Sequence, residues 1–477
     1  MQGEVDAIIV GSGPNGLSAA ITLQLQGLKT IIFEQASEPG GATRTAAITL
    51  PGFKHDLGSA IHPLAFASPV FGQWPLSKYG LDWVHPQVAF AHPMPDGSAV
   101  GCYQDIEATA NQLGSDRDKY IKLYRSLLKD WKKIKNDVLG PLKWPSHPLS
   151  LLRFGLQALP SASFFIDKHF KEEKSKLFFY GAAAHSTIPL TNFASASFGL
   201  VLNLLAHEVG WPFPKGGASA ISQALLNYYQ DIGGTIFLDK AVKNIDQLPK
   251  HKVLLLNLTP RQVLNLNNTN LNSLYRRRLK SYKYGAGIFK IDWALSGVIP
   301  FTNETSRKAG TVHLGFDRKS IELSEKLIHQ GEHFSEPYVL LAQNSVFDPS
   351  RAPKGKHTAW AYCHVPFGSK KDMTEAIEHQ IERAAPGFKK LIMQRATHNT
   401  TAMEEFNPNI IGGDINGGRQ DITQLFTRPM AKLTPYRTSN RQIYICSSST
   451  PPGGGVHGMA GFNAAKQVLK DHFKFKG

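Results

Sequence analysis

Val5-Asp-Ala-Ile-Ile-Val10 runs directly into Gly11-Ser-Gly13-Pro-Asn-Gly16, and this junction limits the fold more than any other stretch of the 477 residues. A short β-branched apolar run suits a buried parallel strand. Glycines at this spacing allow a tight turn at Gly11, close approach of a pyrophosphate at Gly13 and close packing of the next helix at Gly16. Leu17 to Gln26 predicts that helix, with Gly27 at its end. A second strand, Thr30-Ile-Ile-Phe33, ends in Glu34, which can accept hydrogen bonds from ribose hydroxyls and would repel a 2′-phosphate. Glycine-rich turns alone are common. Strand, turn, helix, strand and acid in register predict a Rossmann-type, dinucleotide-binding half-fold in an α/β protein.

Two further glycine segments bear on the same site. After Gln35, Gly40-Gly41-Ala42-Thr43-Arg44 can lay backbone N–H groups and one cation against a pyrophosphate; a plain β-turn with an exposed Arg explains the same residues. A turn-rich run ending in Gly58-Ser59-Ala60 is expected to return toward the cofactor. Near the other end, Gln442 to Cys446 predicts a strand, and Gly453-Gly-Gly455-Val-His457-Gly458-Met459-Ala460-Gly461 opens a helix expected from Phe462 to about His472. A glycine-rich helix start offers unpaired N–H groups and the positive end of a dipole, which suits negative charge developing on a reduced ring. A purely structural glycine loop is the alternative. Gly285-Ala-Gly287 lacks a final glycine and a following helix, so no second nucleotide fingerprint is evident.

Length favours two domains. The first is expected from 1–65, 210–275 and 420–477, and binds the cofactor; the second, helical with a mixed sheet, from 66–209 and 276–419. Lys119 to Val138 carries Ile121, Tyr124, Leu127, Leu128, Trp131 and Ile134 at helical spacing, while Lys290 to Val365 reads mostly as strands. Leu149 to Phe165 is rich in Leu and Phe but broken by Gly155 and Pro160. It is too short and interrupted to span a bilayer, and either lies in one leaflet, roofs an apolar tunnel or forms a buried helix pair.

A formal charge of +16 favours anionic partners, among them phosphorylated cofactors and acidic lipid headgroups. The basic residues are spread over Arg117 to Lys135, Lys168 to Lys176 and Arg276 to Lys283, as on solvated helix faces, so no nucleic-acid partner is expected. Cys102, Cys363 and Cys446 are too few and too scattered for a disulfide framework, a metal knuckle or a thiol-exchange pair, and no metal is expected. The first strand starts with no signal-peptide pattern ahead of it, so a cytoplasmic protein is expected, with peripheral contact to a membrane left open.

Together, GSGPNG with Glu34, the GGATR loop and the C-terminal YICSSSTPPGGGVHGMAGFNAA resemble the phytoene desaturase-like flavoproteins, and within them the pyridine nucleotide-disulphide oxidoreductase domain-containing group. GWPFPKGG from Gly210, YGAGIFKIDWAL from Tyr284, FDPSRAPKGKHTAWAYCHVPFG from Phe347, IERAAPGF from Ile381 and NPNIIGGDINGG from Asn407 extend the likeness along nearly the whole chain. The resemblance implies noncovalent FAD, an amine oxidase-like two-domain fold, and redox or isomerisation chemistry on an apolar, often polyunsaturated small molecule. It implies that Gly11, Gly13, Gly16, Glu34, Gly41 and Arg44 hold the adenosine and pyrophosphate, and that Gly458, Met459 and Ala460 lie at the flavin ring. Pro14, Asn15, Gln35, Ala42, Thr43, Gly58, Ser59, Ala60 and Gly455 complete the expected cofactor contacts. His185, His364, His457 and a buried Lys290–Asp292 pair are acid/base candidates, with His457 favoured because it sits inside the glycine loop. A scaffold that merely retains FAD, or an amine oxidase, are the competing functions.

Overall fold

The structure, a computed structural model, describes residues 4–473. The chain opens with β1 (Val5–Val10), α1 (Pro14–Gln24) and β2 (Thr30–Phe33), then passes through a single turn, α2 (Pro63–Phe66), to the hairpin β3 (Val88–Pro93) and β4 (Ala99–Cys102). A helical layer follows: α3 (Arg117–Val138), α4 (Pro148–Ala158), α5 (Ala162–His169), α6 (Glu173–Ala183) and α7 (Ser195–Val209). Next come α8 (Ser219–Asp231), β5 (Thr235–Phe237) and β6 (His251–Leu256). The long middle segment supplies β7 (Gly287–Leu295), β8 (Ala309–Leu314), β9 (Val339–Ala342), β10 (His357–Val365) and β11 (Ile392–His398). The chain returns with β12 (Ile443–Ile445) and α9 (Met459–His472).

Two sheets organise these elements. One is parallel throughout, in the order β12-β6-β1-β2-β5, so three distant parts of the chain build it. β1 is buried on both faces: Ala7 and Ile9 join Leu17 of α1 and Val468 of α9, whereas Ile8 and Val10 join Leu254 and Tyr275 on the other side. That is why the strand reads as an unbroken apolar run without alternation. The second sheet is mixed, in the order β11-β7-β10-β9-β8-β3-β4. Its β7 and β10 pair antiparallel over nine residues, from Gly287↔Val365 to Leu295↔His357.

Some elements differ from the sequence reading. The β3–β4 hairpin lies in the stretch read as amphipathic and helical. All six residues of β3 are buried, so no period-2 alternation marks them. A helix, Arg318–Leu327, interrupts the strands expected from Lys290 to Val365; the Asp317 carboxylate accepts the Ser320 N–H at 2.9 Å and caps it. The Leu149 to Phe165 run folds as α4 and α5, bent by 97°. Phe154, Ala158, Phe165 and Ile166 are buried, yet Leu149, Leu152, Leu156 and Phe164 face outward.

α1 and α9 hold the ends of the chain together. A Cβ at Gly461 would lie 1.8 Å from the Asn15 carbonyl oxygen, so the helices approach at a distance that no side chain fits. Gly461→Ala is therefore expected to cost more than about 2 kcal/mol, read as a lowered melting temperature of the flavin-loaded protein. Gly72→Ala, where a Cβ meets nothing within 4 Å, is the control and should melt like the wild type.

Candidate functional site

The C-terminal ends of β1, β2 and β6 converge on the start of α1, the place where open parallel sheets bind ligands. Gly11 turns the chain with φ +95°, its N–H bonded to the Phe33 carbonyl. A Cβ at Gly16 would lie 2.0 Å from the Gly11 carbonyl oxygen. α1 starts at Gly13 with no side-chain cap and with Pro14 in its first turn, leaving first-turn N–H groups unbonded within the helix. Glu34 is buried at the end of β2. Its Oε2 accepts the Ser12 N–H and hydroxyl at 2.7 and 2.8 Å, and its Oε1 accepts the Ala36 N–H at 2.9 Å. An ionised carboxylate has about four acceptor positions, so Oε1 retains capacity for another donor.

Opposing backbone closes the cradle. A Cβ at Gly41 would lie 3.3 Å from the Gly13 Cα, and one at Gly58 would lie 2.4 Å from the Ala42 carbonyl oxygen. The Asn257 amide nitrogen, just past β6, stands 3.0 Å from the Cβ position of both Gly13 and Gly16. From this cradle a cavity of about 340 Å³ opens, lined by Gly13, Pro14, Asn15, Gly41, Ala42, Thr43, Gly58, Ser59 and Gly455. Its walls include Ile61, Leu64, Leu202, Trp211, Ile288 and Tyr362, and among the described residues no Asp, Glu, Lys or Arg lines it.

The other expected contacts stand outside that lining. Gly11 and Gly16 shape the turn, Gln35 is exposed, and Ala60, Met459 and Ala460 are buried in the core. Gly458 starts α9 with φ +69°, and a Cβ there would meet Phe71 at 2.5 Å. Arg44 lies over the Phe406 ring at 4.3 Å and donates to the Gly41 and Phe406 carbonyls at 3.1 and 2.6 Å. Burial lowers its pKa, against the opposing charges of Glu34 and Glu38.

The His457 ring is buried beside Gly455, its Nδ1 accepts the Met459 N–H at 3.1 Å, and it is absent from the cavity lining. Burial pushes its pKa down to about 4, so it is neutral at ordinary pH. It accepts the first N–H of α9 and stands behind Gly455, one residue back from the cavity lining. His364 is buried against Glu325, with Nδ1 2.8 Å from a carboxylate oxygen, and also lies off the lining. Lys290 and Asp292 form a buried ion pair two and four residues beyond Ile288 on the same face of β7, and His55 Nδ1 lies 3.6 Å from Asp292. Burial drives the Asp292 carboxyl up, but Lys290 and His55 outweigh it and leave it below its ordinary pKa.

His185 alone among these candidates reaches the cavity. Its Nε2 lies 2.9 Å from that of His313, and burial, aided by His364, pushes its pKa down to about 3. His62 also lines the cavity, 3.0 Å from the Ser59 hydroxyl, with its pKa pushed by burial down to about 4. Sequence reasoning passed over His62, Trp211, Tyr362 and Asn257. Asn257 alone carried a signal, because it closes β6 as Glu34 closes β2.

Comparison with known proteins gives the same picture. Residues 9–72 match a family model described as an NAD(P)-binding Rossmann-like domain. The chain is 25% identical to mouse (Mus musculus) pyridine nucleotide-disulfide oxidoreductase domain-containing protein 2, over 98% of this chain and 94% of that one. It is 22% identical to a lycopene-forming phytoene desaturase from a Paracoccus species, over 97% of each. A wild-type putrescine oxidase bound to putrescine superposes with a TM-score of 0.62 at 15% identity, over 98% of this chain and 99% of that one, which speaks for the fold.

Glycine backbone on three sides, a buried acid with spare acceptor capacity and an uncapped helix start fit the adenosine and pyrophosphate of FAD, and the uncharged chamber fits an apolar ring. Fold and site define an FAD-dependent oxidoreductase. Its sequence is phytoene desaturase-like from end to end.

Gly13→Glu should give folded protein without the yellow flavin absorbance, because the new side chain must enter between Asn257 and Gly41. Yellow mutant protein would sink this cradle assignment. His62, His92, His185, His207 and His457 all have pKa values pushed by burial to about 3 or 4. The unfolded chain, with imidazoles near about 6.5, binds protons that the native state refuses. Their stabilisation is therefore fully present above about pH 6.5 and is lost as pH falls toward about 4, and melting temperatures should decline from pH 7 to pH 5. A flat profile would contradict the buried, neutral histidines.

Proposed function

We propose that this FAD-dependent oxidoreductase acts on an apolar, unsaturated small molecule in a desaturation, reduction or isomerisation. FAD, when bound, supplies hydride exchange at its N5. The chain's own part is binding, orientation and exclusion of water. Support comes first from the cavity, whose walls carry no charged side chain among the described residues. An alkylammonium substrate entering it would lose hydration with no carboxylate to replace it, which is why the amine oxidase reading is the weaker one. The similar Paracoccus protein is named for a polyene reaction, which is in keeping with this choice.

Ile61, Leu64, Leu202 and Ile288 would hold hydrocarbon by burial and shape. His185 and His62 present neutral imidazoles, and burial together with Glu325 raises the Tyr362 phenol, so none brings a charge to the substrate near neutral pH. A reaction at a carbon centre that needs no strong acid suits such walls.

Anaerobic titration of the purified yellow protein tests the proposal. A detergent-solubilised isoprenoid polyene should bleach the oxidised flavin absorbance if it is desaturated, or restore the absorbance of the photoreduced flavin if it is reduced, and putrescine should do neither. Bleaching by putrescine alone would sink it. A photoreduced flavin that neither quinone nor oxygen can reoxidise would point instead to the scaffold. Leu202→Asp should keep its flavin yet lower the polyene-dependent rate by about 100-fold, since a carboxylate there opposes an apolar ligand.

A further inference from the structure

We propose that the outward face of α4, with the loop ahead of it, is a docking surface for anionic phospholipid bilayers. The observation is an unpartnered apolar face. Leu149, Leu152 and Leu156 follow one another at helical spacing and are 71%, 58% and 63% exposed, while Phe154 and Ala158 on the opposite side are buried. Trp144, in the loop before the helix, is 88% exposed. Phe193 joins them at 69%: the next residue, Ala194, donates its N–H to the Leu159 carbonyl, which places Phe193 beside the end of α4. Burying large apolar side chains is favourable, so leaving several together in water is costly unless something covers them.

Charge identifies the cover. Between residues 129 and 168 stand seven Lys or Arg against three Asp and no Glu. The three acids are already engaged: Asp130 by Arg153 at 2.6 Å, Asp137 by Lys143 at 3.1 Å and Asp167 by Arg318 at 2.6 Å. Lys129, Lys132 and Lys133 are exposed on α3, which packs against α4 through the Arg153–Asp130 pair and the Trp131–Phe154 rings. An apolar face edged by unneutralised lysines, with an indole at its rim, matches the boundary between acyl chains and anionic phosphates. A second copy of this chain is disfavoured, because a self-complementary contact would bring the same cationic edges together. No described helix is long and apolar enough to cross a membrane, and the α4–α5 pair is bent by 97°, so the contact lies along one leaflet. α4 and α5 both pack on α7, whose Leu202 lines the cavity. Docking would therefore set the wall of the cavity beneath the lipid surface. This surface stands independently of the substrate proposed above.

The test is flotation of flavin-loaded protein with vesicles of phosphatidylcholine alone or mixed with phosphatidylglycerol. Binding is expected with the anionic vesicles at low salt, weakening as salt rises. Leu152→Glu with Leu156→Glu should reduce binding at least about tenfold while flavin absorbance and melting temperature are kept. Trp144→Glu, outside any helix, gives the same readout should the double variant fold poorly. Lys132→Glu with Lys133→Glu should remove the preference for phosphatidylglycerol. The proposal is overturned if wild-type protein fails to float with anionic vesicles at low salt, or if the apolar variants float as well as wild type. It is equally overturned if wild-type protein is a lipid-free dimer that these variants convert to monomer, since a second copy would then own the face.

Discussion

The contact between Gly461 and Asn15 is the interaction on which the remaining architecture depends. Two helices meet there with main chain against main chain, because a Cβ on one would overlap the carbonyl of the other. That closeness sets α9 across α1 on one face of the parallel sheet. The loop ahead of α9 then delivers Gly455 to the same cavity that Gly13 and Gly41 border. Remove the close approach and the cradle loses its C-terminal side, whatever the N-terminal glycines do.

Around that point, Glu34 and backbone groups gather at the C-terminal ends of the parallel strands, and the cavity mixes amides and hydroxyls, among them Asn257, Asn407 and Ser447, with aliphatic side chains and neutral imidazoles. Burial is the common cause. It keeps His62 and His185 uncharged and confines the strong ion pairs, Lys290 with Asp292 and Arg351 with Asp56, to places behind the cavity wall. His55 against Asp292, with Arg351 against Asp56, joins the segment before α2 to β7 and to the loop after β9, so the chamber can be uncharged without the protein being short of polar contacts.

Local patterns carried much of this in the sequence. β1, Gly11, Gly13, Gly16 and Glu34 announce themselves because each needs only its neighbours to be understood: a run of apolar residues, a turn, a helix start. Contacts between distant segments do not. Asn257 matters because β6 lies beside β1, a pairing that no window of sequence contains. β3 escaped notice because burial on both faces erases alternation. His457 is a related case: its place beside glycines is plain in the sequence, but the bond from the Met459 N–H to its ring is not. The apolar run from Leu149 was ambiguous because sequence gives the amount of hydrophobic surface but not which neighbours cover it.

The parallel sheet also has a consequence for the order of assembly. Its central strand, β1, is synthesised well before one of its edge strands, β12. Between them the second sheet must form from segments that interrupt the first. The glycine fingerprint can therefore not close a cofactor site as it leaves the ribosome; it must wait for β12 and α9. Cofactor retention thus reports that synthesis has passed α9, and a chain cut short before it would be left with exposed apolar surface on α1 and an open cradle, the features by which quality control distinguishes unfinished protein.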